Sequence, residues 1–149
     1  MKKILFILII FLAFILESRI TVLGASPNLT AVIAYYFGLR NGETKGMLFG
    51  MTLGIIGDGL SGGIIGPNML GKGLVGYFSS FMSGSFFRWT PFLGMIGISV
   101  LTALDSIVVF ISKSLFSHVP TSIVNAVSIT LISSIINSFI GIFLRPKNE

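Results

Sequence analysis

Asp58, Lys72 and Asp105 are ionisable residues set inside apolar stretches of the chain. A charge at such a position is costly, and it marks an ion or proton path, a polar anchor for a partner helix, or a structural ion pair. Asp58 follows Gly42, Gly46, Gly50 and Gly54 at the next step of four, and Lys72 precedes Gly76, Ser80 and Gly84 by the same step. Small residues at this spacing let helices approach closely in a bilayer. Two such helices joined by the glycine-rich segment between them are antiparallel neighbours, with Asp58 and Lys72 at one end and their small stripes face to face. The spacing therefore predicts an Asp58–Lys72 contact, direct or through water, which lowers the cost of both charges. Each step of four advances about 40° around an ideal helix. Asp58 is thus expected at the edge of its stripe, with Gly46, Gly50, Gly54 and Gly57 on the tight face. The stripes read as helix packing within the chain or as an interface with a different protein.

The other polar residues point to packing. Asp105, with Thr102 and Ser106, falls in the outer half of an apolar run, and Thr130, Ser134 and Ser138 form a line flanked by Asn137 and Gly141. That line reads as an interhelical hydrogen-bonding face. Glu17 and Arg19 point to different helix faces, in the outer headgroup region. His118 has no second histidine or cysteine near it, so no metal site is expected. With no cysteine in the chain, disulfides are excluded. There is no nucleophile–base pair, readable carboxylate dyad or phosphate cradle. The chain therefore reads as neither an enzyme nor a holder of a cofactor.

The elements that must position these residues are membrane spans. Of 149 residues, 53% are hydrophobic and 10% charged, against about 25% charged in soluble domains. The mean hydropathy is +0.97. The expected fold is an all-α integral membrane protein, one domain over 1–149, with six spans at about 4–23, 27–39, 45–58, 68–87, 91–112 and 121–144. The second and third are short for a core of about 30 Å. Six spans place Lys2, Lys3, Arg40, Lys45, Arg88, Arg145 and Lys147 on one side and Arg19, Lys72 and Lys113 on the other. The positive-inside rule then makes both termini cytoplasmic. Basic residues at span ends are topology determinants, so the net charge of +5 does not imply nucleic acid. The first span reads as uncleaved. The 59–67 segment is expected to be the longest loop, packed on the outer mouth of the bundle, and no internal repeat is evident.

The order Pro27-Asn28-Leu29, Gly38-Leu39-Arg40-Asn41-Gly42, Gly46, Gly50, Gly54, Gly57-Asp58-Gly59, Gly66-Pro67-Asn68 and Gly76-Tyr77 resembles the MreD family of bacterial rod-shape-determining membrane proteins. The resemblance covers about residues 27–88. It implies a six-helix fold similar to the substrate-binding subunits of energy-coupling-factor vitamin transporters. It also implies a non-enzymatic subunit of the cell-elongation machinery in the inner membrane, as a homo- or hetero-oligomer. Such a subunit pairs with the bitopic protein MreC and is linked through it to peptidoglycan-synthesis proteins and MreB filaments. By resemblance, Gly54, Asp58, Gly66 and Asn68 carry over as functional positions. Two other functions stay open: a solute-binding subunit of a vitamin transporter, and an ion or proton pathway lined by Asp58, Lys72 and Asp105.

Overall fold

The computed structural model describes residues 2–83, 88–116 and 122–146, and every regular element among them is helical. The helices are α1 (Lys2–Arg19), α2 (Leu29–Asn41), α3 (Glu43–Leu60), α4 (Pro67–Ser79), α5 (Pro91–Phe116) and α6 (Ile123–Gly141), with a 3-10 turn over Ser80–Met82 after α4. Their ends follow from local chemistry. Asn28 caps α2 by accepting from the Ala31 N–H at 3.2 Å, the usual work of an N-cap side chain. Gly42, at φ +89°, is all that separates α2 from α3. A side chain there would be strained, so glycine makes the sharp reversal possible. Pro67 and Pro91 open α4 and α5, where a missing N–H costs nothing.

Burial is inverted relative to a water-soluble bundle. Thr30, Asp58, Lys72, Thr102, Asp105, Ser133 and Asn137 are buried, while Ile4, Leu8, Phe11, Ile107, Ile111, Val127, Leu131 and Phe139 are exposed. Water would penalise that arrangement, whereas lipid favours it, because apolar tails solvate the outside and polar groups must find partners within. Among the described residues two helices, α5 and α6, are long and apolar enough to cross a membrane. α1 is of similar length but carries charges at its ends. At 13 residues, α2 and the α-helical part of α4 are each about 20 Å long.

α4 is central, packed against α2, α3 and α5, while α6 packs chiefly on α5 and α1 on α2. α1 is also held by stacked rings, with Phe6 against Phe37 and Phe49 and the latter two centroids 4.1 Å apart. The apolar core is small: Val32, Ala34, Tyr35, Leu39, Leu53, Val75, Ile98 and Leu101.

Several boundaries depart from expectation. α3 runs on to Leu60 and α5 to Phe116, whereas α4 gives way to the 3-10 turn after Ser79. The expected loop at 59–67 shrinks to 61–66 and is largely exposed rather than packed on the bundle. The connection over 20–28 is longer. It is folded on itself by paired Val22 and Ala25 backbone bonds, with Leu23 and Gly24 at positive φ. Gly84 and His118 lie outside the described residues.

Candidate functional site: a buried polar network between the helix ends

Asp58 sits in the last turn of α3 and is 1% exposed. Its carboxylate accepts from the backbone N–H of Gly66 at 2.8 Å and of Asn68 and Met69 at 3.2 Å each, and from the Asn68 side-chain amide at 2.7 Å. These backbone groups begin α4. A carboxylate there satisfies donors that no earlier turn can reach and meets the positive end of the helix dipole. Asp58 is thus the cap of the next helix in the chain.

Lys72, one turn after Asn68 on α4, donates to Asn68 Oδ1 at 3.0 Å. Its ion pair is with Asp105 of α5, at 3.5 Å, and both side chains are buried. The expected Asp58–Lys72 pair is therefore corrected. Asn68 stands between them, giving its N–H2 to Asp58 and its oxygen to Lys72. Asp58 is already saturated by helix-terminal donors, and a third helix brings a free carboxylate to the lysine.

The network continues across the bundle. Asn28 Nδ2 donates to Asp105 Oδ2. Asn137 of α6 donates to the Asn28 carbonyl and to Thr102 Oγ1, both at 3.0 Å, and Ser133 donates to the Ser26 carbonyl at 2.9 Å. Glu17, near the end of α1, accepts from Thr30 Oγ1 at 2.9 Å and from the Thr30 N–H at 3.3 Å. Its charge lies within electrostatic range of Lys72 and Asp105. Glu17 is therefore tied to the start of α2, while Arg19 is exposed.

A repeat missed in the sequence underlies this layout. Glu17 and Asp58 are each third from the end of their helix, and a Pro-Asn pair follows each: Pro27-Asn28 and Pro67-Asn68. In both hairpins the acid binds the first turn of the next helix. The two asparagines then take opposite ends of the ion pair, Asn28 the carboxylate and Asn68 the ammonium. An acid in an apolar run followed by Pro-Asn ten or eleven residues on was the available signal.

The small residues come together only in part as expected. A Cβ on Gly46 would strike the backbone of Gly76 and Gly38; on Gly50, that of Lys72; on Gly54, that of Asn68 and Met69. The stripes of α3 and α4 do face each other, and Gly38 of α2 joins them at Gly76 and Ser79. Gly57, by contrast, faces Phe14 of α1, where a Cβ would stand 3.5 Å from the ring, in ordinary van der Waals contact. It is Asp58, not Gly57, that continues the α3–α4 seam. Rows at i±4 run obliquely to a helix axis, and a crossing helix can follow such a row, so the 40° drift is absorbed by the crossing. Ser80 is buried, and its hydroxyl donates to the Tyr77 carbonyl of the preceding turn. On α6 the inward row is Ser133, Asn137 and Gly141, with Gly141 against Gly94 of α5. Of the expected Thr130, Ser134, Ser138 line, Ser134 is buried beside this row and Thr130 and Ser138 are half-buried, while the flanking Asn137 and Gly141 belong to the row itself.

Among the described residues no group of three His, Cys, Asp or Glu is placed to hold a metal ion. The network's chemistry is cohesive: it joins α1 through α6 by hydrogen bonds and one ion pair between the helices. Trp89 Nε1, Asp105 Oδ1, Asn137 Oδ1 and Ser134 Oγ are buried atoms with no partner among the described residues.

No curated protein and no solved structure matches the chain. The family described as rod shape-determining protein MreD matches residues 1–146. That match spans both hairpins, the buried network and α5 and α6, so the chain belongs to the MreD family of membrane proteins, which act in rod shape determination.

Proposed function

We propose that the chain is a non-catalytic scaffold of the cell-elongation machinery in the bacterial inner membrane. It is a single domain with six spans and both termini cytoplasmic, and it binds a bitopic MreC-like protein. Through that protein it acts on peptidoglycan synthesis and MreB-like filaments. The family match carries this reading. The arrangement of the polar groups supports it: Asp58, Asn68, Lys72, Asp105, Asn28 and Asn137 tie helix to helix by bonds to one another and to backbone groups. That use suits a rigid platform better than a solute site or an ion path.

Gly46, Gly50 and Gly54 are covered by α4. They serve the scaffold by holding its hairpin together. The partner helix is assigned to the outer faces of α1 or α6, each packed mainly on one neighbour and apolar on the outside. The test is co-purification with an MreC-like partner, with cysteines scanned along Leu8, Phe11, Ile15, Val127, Leu131 and Ile135 for cross-links. A cross-link confined to one of these rows, and loss of rod shape when it is made polar, is the expected result. Full cell-shape complementation without any association would overturn the scaffold reading.

A further inference from the structure

An open groove of about 360 Å3 lies between the end of α4 and α5, lined by Phe78, Phe81, Met82, Leu101 and Leu104. Met82 fixes one end of it by packing on Gly97 of α5. Leu101 and Leu104 follow Gly97 at helical spacing and share its face. The segment joining the two walls carries Arg88, which is exposed, and Trp89, which is buried. The Arg145 guanidinium, beyond α6, stands 5.8 Å from the Trp89 ring centroid. The same ring packs beside Gly94, one turn of α5 before Gly97. The Trp89 ring therefore lies about 5 Å along α5 from the groove's Met82 end, with the Arg145 guanidinium beside it and Arg88 next to it in the chain.

We propose that this groove and its arginines bind one anionic phospholipid, an acyl chain in the groove and the headgroup phosphate at Arg88 and Arg145. The groove is wholly side-chain apolar, so its occupant is apolar. A helix with its side chains, about 10–12 Å across with a 5.4 Å pitch, fills about 500 Å3 per turn. The groove holds less than one such turn, whereas a single acyl chain enters it lengthwise. Charge selects the headgroup. Glu43, the acidic residue at this end among the described residues, belongs to α3, which does not line the groove. The inference needs only helices in a bilayer and is independent of the partner proposed above.

Trp89 is the chain's one tryptophan, so its fluorescence reports the headgroup end. Phe78→Trp in a Trp89→Phe background reports the groove. Each protein is reconstituted in phosphatidylcholine vesicles containing a minor fraction of phosphatidylglycerol, with bromine on the acyl chains of one lipid or the other. Brominated phosphatidylglycerol should quench both reporters at lower mole fraction than brominated phosphatidylcholine, by about fivefold per arginine. Arg88→Gln with Arg145→Gln, both at exposed positions, should abolish the preference. Equal quenching by the two lipids, or a preference that survives loss of both arginines, overturns the proposal. A preference at Trp89 that is absent at Phe78→Trp also overturns it, since the chain then lies elsewhere. If no brominated lipid reaches Phe78→Trp, the groove is closed to lipid and the proposal fails.

Discussion

Replacing Asp58 with alanine should remove the acceptor of four hydrogen bonds at once: three backbone N–H groups at the start of α4 and the Asn68 amide. Side-chain hydrogen bonds between membrane helices average about 0.6 kcal/mol each, which puts the floor near 2 kcal/mol. Donors left buried without a partner cost about 1–3 kcal/mol apiece. Gly66 and Asn68 are only partly buried, so water relieves some of that penalty, and a loss of about 2–5 kcal/mol is expected. Asp58→Asn keeps one acceptor oxygen but turns an N–H2 toward other donors, and should lose about half as much. The assay is reversible unfolding in mixed micelles titrated with a denaturing detergent, followed by the fluorescence of Trp89. Trp89 precedes α5, well removed in sequence from the substitution. A stability of Asp58→Ala within about 0.5 kcal/mol of the parent, the scatter of an inert surface change, would refute the capping role. So would equal losses for Ala and Asn.

Lys72→Met and Asp105→Leu should each destabilise by about 3–5 kcal/mol, since each strands a buried charge, while the double variant should be milder than either when unfolded in the same titration. An Asp58–Lys72 double-mutant cycle should show weaker coupling, because Asn68 separates the two. Gly46→Ala should cost about 1–3 kcal/mol or more, because its methyl would meet the backbones of Gly38 and Gly76. Gly57→Ala should be tolerated, a contrast readable by thermal stability on size-exclusion chromatography. Glu17→Ala should cost about 1 kcal/mol as a lost helix cap, and Thr30→Val should add little on top of it, because both changes remove the same bond.

The stripes, the hairpin of α3 and α4 and the buried charges were legible because they are local. Periodicity of four and a short connection decide which faces meet whatever surrounds them. The Asp58–Lys72 pairing was misassigned because two plausible partners were visible in the sequence and the third, Asp105, lies on a helix whose rotation the sequence leaves open. Asn28 was missed as a member of the network, and Asn137 was placed on an interhelical face without its partners, for the same reason: they reach it from the start of α2 and from α6, 77 and 35 residues away from their partners Asp105 and Thr102.

Sequence alone determined that the chain is helical and apolar, that its small residues line close helix contacts, and that charges lie within it. Only the tertiary structure decided which charge meets which. A crossing angle sets which row of a helix faces its neighbour. The α3–α4 crossing carries the glycine ladder through to Asp58 and turns Gly57 toward α1. Asp58 then spends its carboxylate on the start of α4, and Lys72 is left to Asp105.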